Sequence, residues 1–314
     1  MAAVGVAVAR NWAQVSLDIG KVRLPDLLLA AALISLAPVL TLLAWRRILA
    51  DLGSPLHLAP AGGIFFVGQL GKYLPGSVWS IVAQAEMGLK LEIPRRRSAV
   101  VGLITIGLAA ICGFLAGVPA LPLLLSRSAT SSTGWVLLLA LPLVAIAFWP
   151  RLLNWGIALG LRLLRREPLE HELSGRAVFF SSAYLIAAWV CSGLHVLVLA
   201  RAVSEGRATG GHLVVATVAG FALASALSMF AVLLPAGVGL REGLLVLLLA
   251  PLLSTPGAAA VVVLARFLSV LSDVVFALIG WAWARSHHLL TSRPEREHDH
   301  LVAEEDPMPP TNAR

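Results

Sequence analysis

Residues 98 to 125 carry no charged side chain, residues 133 to 150 carry none, and the one acidic or basic side chain within 177 to 200 is His195. A helix needs about 20 predominantly apolar residues to cross the hydrocarbon core of a bilayer, and each of these runs is close to that length or beyond it. No water reaches the backbone at that depth, so its polar groups must pair within the segment, as they do in a helix. Apolar spans therefore fall at about 25 to 45, 98 to 125, 133 to 150, 177 to 200 and 257 to 284, with two longer interrupted regions at 58 to 90 and 212 to 253. With 58% hydrophobic and only 13% charged residues, a soluble domain is excluded. The predicted fold class is an all-α, polytopic transmembrane helical bundle.

The interrupted regions break in the same way, at Leu74-Pro75-Gly76 and at Leu234-Pro235-Ala236-Gly237, with the prolines 160 residues apart. A shift by that interval lays 25 to 45 on the 177 to 200 span with a slip of several residues, and 98 to 125 on the last span. Three features coincide: the proline-glycine break, the loop some twenty residues later, and the long uncharged helix after it. Two repeats follow, about 25 to 125 and 177 to 284, each with a broken and possibly re-entrant helix pair. The linker helix 133 to 150 has no counterpart. The second copy then begins after an odd number of crossings and is inverted in the membrane, the arrangement typical of transporters with a midplane site.

A net charge of +7 does not mark a nucleic-acid binder here, because the basic residues sit in short loops between apolar spans. They report topology. Lys90 with Arg95, Arg96 and Arg97, and Arg151 through Arg176, place the loops 90 to 97 and 151 to 176 in the cytoplasm of a multi-pass plasma (inner) membrane protein. Arg46 and Arg47 against Arg10, Lys21 and Arg23 leave the direction of the first span open. The tail 285 to 314 is polar, proline-bearing and expected to be disordered on the cytoplasmic side. Residues 1 to 20 read as the remnant of a first helix that begins upstream, with no cleavable signal pattern. Cys112 and Cys191 both lie in apolar segments, so they are packing residues rather than a disulfide framework.

Charged side chains at membrane depth are rare and normally face a cavity or a partner. Lys72 precedes the first break, and Arg241 and Glu242 follow the second. Arg266 and Asp273 lie two turns apart on one face of the last span, where Arg266 can meet Glu242 across helices. One account is that these ions only orient the bundle. The breaks point further, because half-helices starting at Gly76 and Gly237 leave free N–H groups and a positive dipole end inside the protein, which attract an anion and above all a phosphate. The candidate substrate-binding set is Lys72, Gly76, Gln84, Glu86, Gly237, Gly239, Arg241, Glu242, Arg266 and Asp273, with Gln69, Gln84 and Glu86 lining one wall of a polar cavity. His195 reads as a packed, hydrogen-bonded residue. The sequence carries no metal, nucleotide or nucleophile motif, and the tail histidines lack a companion ligand group. The expectation is therefore no enzyme and no cofactor.

The segments Gly68-Gln69-Leu70-Gly71-Lys72-Tyr73-Leu74-Pro75-Gly76-Ser77-Val78-Trp79 and Leu234-Pro235-Ala236-Gly237-Val238-Gly239-Leu240-Arg241-Glu242-Gly243 resemble the lysylphosphatidylglycerol synthase transmembrane-region family of flippase-like membrane proteins. The resemblance spans roughly residues 20 to 284, and Trp45-Arg46-Arg47-Ile48-Leu49 is similar to the basic end of that family's second helix. It implies movement of a phosphate-bearing or anionic lipid between leaflets, with lipid head groups as partners. The second motif matches closely, through Pro235, Gly237, Gly239, Arg241 and Glu242. The first departs from the family pattern: many relatives carry asparagine before the proline and a Gly-Glu and Arg after it, whereas this sequence has Gly71-Lys72-Tyr73 before and Ser77-Val78-Trp79 after, so a lysyl-lipid substrate is not carried over. The alternative is a non-transporting scaffold or partner subunit of a lipid-linked envelope biosynthesis enzyme.

Overall fold

The computed structural model describes residues 12–74, 79–125, 154–155, 158–159, 172–229 and 239–287. Among these, secondary structure is helical throughout: α1 (Trp12–Gly20), α2 (Leu24–Asp51), α3 (Leu58–Gln69), α4 (Trp79–Leu89), α5 (Arg95–Gly117), α6 (Leu121–Leu125), α7 (Gly175–Val203), α8 (Gly211–Met229), α9 (Leu240–Leu253) and α10 (Thr255–Ser286). A 3₁₀ turn, Leu70–Tyr73, extends α3, and the second turn of α8, Val215–Ala219, is π-helical. Four of the uninterrupted spans expected from the sequence appear as α2, α5, α7 and α10. The span 133 to 150, the prolines and glycines of both breaks, the start of the chain and most of the tail lie outside the described residues.

Contacts between helix ends sort the bundle into two poles. At one, Arg97 of α5 hydrogen-bonds the Gly53 carbonyl and the Ser54 hydroxyl after α2, Asp51 at the end of α2 accepts from the Ser174 N–H before α7, and Trp283 near the end of α10 packs over Gly63 of α3. At the other, Ser254 joins α9 to α10, and Gly257 meets Val203 at the end of α7. The first pole carries Arg46, Arg47, Lys90, Arg95, Arg96, Arg97, Arg176 and Arg285; it is called the basic end below. α2 ends at this pole.

The two interrupted regions open toward opposite poles. α3 starts and α4 ends at the basic end, whereas α8 starts and α9 ends at the far end. With 11 residues, α4 rises about 16 Å, half of the ~30 Å apolar core. The arms are unequal: α8 has 19 residues and is long enough to cross, while α3 has 12. Contacts nevertheless correspond in pairs. α2 lies along α7, α3 packs on α10 as α8 packs on α5, and α4 packs on α5 as α9 packs on α10. Each hairpin thus sits between α5 and α10.

Lipid tails are as apolar as leucine, so close backbone approach at small residues replaces the hydrophobic effect as the glue between helices. Gly62, Gly63 and Gly280 serve the α3–α10 contact, and Gly113 and Gly117 the α5–α8 contact. Larger side chains fill the centre, with Trp45 tilted against Phe65 at 5.8 Å and Phe66 against Phe276 at 4.7 Å. Cys112 and Cys191 are free thiols on α5 and α7, as expected of packing residues.

Ser174 caps α7 by accepting from the Ala177 N–H, and it donates to Asp51 at 2.8 Å. Ser174→Ala removes both bonds at once. Loss of such a cap costs about 1 kcal/mol, which should lower the unfolding midpoint of the detergent-purified protein by about 2–4 °C.

Candidate functional site

The tips of the two hairpins meet the middle of α10. Lys72, in the 3₁₀ turn that extends α3, is a cation near unpaired helix carbonyls, where the helix dipole favours it. Its Nζ stands 2.7 Å from Asp273 Oδ2 of α10, and the Tyr73 hydroxyl donates to the same oxygen at 2.5 Å. Asp273 is therefore held by two groups of the first tip.

The second tip is organised by Gly239. Its φ of +98° is a conformation that side-chain-bearing residues rarely adopt, and it stops the backbone before α9 begins at Leu240. Glu242, three residues on, reaches back so that Oε2 accepts from the Gly239 N–H at 2.7 Å. Its other oxygen, Oε1, accepts from Arg241 Nη2 at 3.2 Å and from Arg266 Nη1 of α10 at 3.4 Å. The Arg241 guanidinium lies 5.4 Å from the centre of the Phe221 ring, with its Nε buried and unpartnered among the described residues. His195 meets the same ring edge-on, and its Nδ1 pairs with the Ser192 carbonyl, in keeping with a packing role.

Arg266 and Asp273 are separated by about 10 Å along one face of α10, so this helix ties the two tips together. The cross-helix meeting of Arg266 with Glu242 is present as expected. Three cations, Lys72, Arg241 and Arg266, face two carboxylates, Glu242 and Asp273, and the break segments 75 to 78 and 230 to 238 contain no ionisable side chain. Among the described residues, one positive charge is in excess.

Two expected site residues lie elsewhere. Glu86 pairs with Arg95 at 2.7 Å, with both side chains more than half exposed, because α4 runs from the break toward the basic end and carries Glu86 to its last turn. Gln84 is buried between α3 and α4, packed so tightly on Gly68 that a Cβ there would come within 2.5 Å of its Cγ. It holds the hairpin's arms together. Gly76 and Gly237 are outside the described residues; α4 is helical from Trp79 and α9 from Leu240, each three residues beyond the glycine from which a half-helix was expected. Tyr73 and Phe221 were not among the expected site residues. Tyr73 adjoins Lys72 and could have been found from that; nothing local marks Phe221, which only the fold brings under Arg241.

A model of the family described as lysylphosphatidylglycerol synthase TM region matches residues 1–277, which include both hairpins and both tips. The chain belongs to this family. No curated protein matches it. Membership of the lysylphosphatidylglycerol synthase TM region and the five helices among the described residues that are long and apolar enough to cross agree on a multi-pass membrane protein.

Proposed function

We propose that the protein moves a phosphate-bearing or anionic lipid between leaflets, with its head group held where the two hairpin tips meet on α10. The observation that carries this reading is the excess positive charge at mid-depth. An uncompensated guanidinium is costly in a bilayer, and a phosphodiester, which bears one negative charge, cancels it. Arg241 and Arg266 share a single oxygen of Glu242 and keep further N–H groups that fit the planar, bidentate recognition of phosphate. The start of α9 adds the positive end of its helix dipole beside Arg241.

Hairpins opening toward opposite poles support two inverted repeats and alternating access, in which one repeat rocks against the other around a fixed site. Lys72–Asp273 and Arg266–Glu242 are the contacts that such rocking remakes, since each joins a hairpin tip to α10. Lipid exchange of this kind involves no covalent step, and the reading assigns no enzymatic activity and no cofactor.

The scaffold reading draws on a different observation: both carboxylates are already bridged to cations, as ion pairs that merely orient helices are. The two separate in liposomes containing head-group-labelled phosphatidylglycerol or phosphatidylcholine, followed by accessibility of the label from outside. Arg241→Ala is expected to slow movement of the anionic lipid at least about tenfold, the scale of one lost charge-assisted interaction, in protein that elutes and melts as wild type does. A fall in folded protein with unchanged movement per molecule, or no movement by wild type, favours the scaffold.

A further inference from the structure

We infer a second anionic-lipid site, distinct from the midplane cluster, in a cavity at the basic end between α2 and α7. The cavity has a volume of about 170 Å³, and its lining includes Leu43, Arg46, Arg47, Ala50, Leu56 and Tyr184. Arg46 donates from Nε to the Leu56 carbonyl at 2.7 Å, which orients its guanidinium and leaves the terminal nitrogens unassigned. Arg47 lies 5.5 Å from the Phe180 ring centre, and Arg176 lies 5.8 Å from the same ring.

Among the described residues, no carboxylate pairs with Arg46, Arg47 or Arg176. Asp51, one turn beyond Arg47, is the natural counter-ion, yet both of its oxygens are engaged by Ser174. The arginines of this pocket are therefore without a direct ion pair among the described residues, unlike the nearby Arg95, which pairs with Glu86. Topology alone needs basic residues at this end, but it does not need them fixed around a cavity.

The lining has the two halves that a lipid requires. Arg46, Arg47 and the Tyr184 hydroxyl offer hydrogen-bond donors to a phosphate, and arginine forks match phosphate oxygens in pairs. Leu43, Ala50 and Leu56 supply an apolar wall for the glycerol and upper acyl chain. The exposed rings of Phe179 and Phe180 stand where aromatic side chains settle at a membrane interface. Basic pockets between helices at this level are suited to anionic head groups. The pocket borders the seam of α2 and α7, the most extensive helix contact in the bundle, so an occupant is placed to stabilise that seam.

The test uses the full chain purified in a mild detergent, with phosphatidylglycerol or phosphatidylcholine added and bound lipid counted by native mass spectrometry, and with thermal unfolding in parallel. Phosphatidylglycerol is expected to bind and to raise the unfolding midpoint. Arg46→Gln with Arg47→Gln is expected to weaken that binding about tenfold, while Arg241→Gln leaves this component in place. Millimolar inorganic phosphate is expected not to displace the lipid; displacement would assign the pocket to free phosphate and overturn the lipid assignment. Equal binding of phosphatidylcholine, or undiminished phosphatidylglycerol binding by a folded double variant, would overturn the site. A double variant that fails to fold is replaced by Tyr184→Phe and Arg47→Gln singly, read in the same way. Failure here leaves the midplane translocation reading untouched, because that reading is measured by movement and by Arg241→Ala.

Discussion

Glu242→Gln is expected to lose most of its folded protein in detergent, or to melt far below wild type. The amide can still accept from the Gly239 N–H, so the start of α9 keeps its cap. What disappears is the negative charge that Arg241 and Arg266 share. Removing one partner of a buried pair costs about 3–5 kcal/mol because the remaining charge is left uncompensated. Arg266 is 24% exposed, which moves the expectation to the lower end of that range. Adding Arg266→Gln to Glu242→Gln should recover part of the loss, since it removes one of the two orphaned cations. A double variant no better than the single would mean that Glu242 acts through something other than charge. If Glu242→Gln melts like wild type, the ion cluster is not what holds the second tip to α10.

Gly71→Ala is the second change with a large expected effect. Gly71 lies in the 3₁₀ turn at the first tip, and a Cβ built there overlaps the backbone N of Ser80 and comes within 2.6 Å of the backbone carbonyl carbon of Trp79. Side-chain neighbours can swing aside; the start of α4 cannot. A single methyl group must push the two arms of the hairpin apart, displacing Lys72 and Tyr73 from Asp273. Overpacking typically costs about 1–3 kcal/mol, and the upper end is expected where the obstacle is backbone. Gly107→Ala in α5 is the control, with nothing within 4 Å of the added carbon; in a helix interior it should be neutral or stabilise by up to about 1 kcal/mol. Comparing the two by thermal unfolding separates close approach from glycine content. Equal midpoints for both variants would show that the arms can part freely at the tip.

The long spans α2, α5, α7 and α10 were legible because membrane crossing is a one-dimensional property: length and absence of charge are enough. The pairing of Arg266 with Glu242 was legible for a related reason, as a buried cation without a partner in its own helix must find one on another. Glu86 shows where that reasoning stops. It lies within the interrupted region and looks intramembrane by sequence, but the direction of α4 decides its depth, and that direction follows from how early the helix resumes after the break. Gln84 is similar, since a buried amide can line a cavity or pack against a glycine, and only the neighbour distinguishes them.

The amino-acid sequence by itself determined that this chain crosses a membrane as helices, where its apolar spans lie, which charges need partners, and that two breaks recur at a fixed interval. These follow from local composition, because the bilayer charges every exposed polar group regardless of what else the chain does. Tertiary structure alone decided that the hairpins open toward opposite poles, that Tyr73 joins Lys72 on Asp273, that Phe221 lies under Arg241, and that Arg46 and Arg47 border a cavity without a carboxylate. Each of those depends on which helix faces which, and that is set by close packing between segments far apart in the chain.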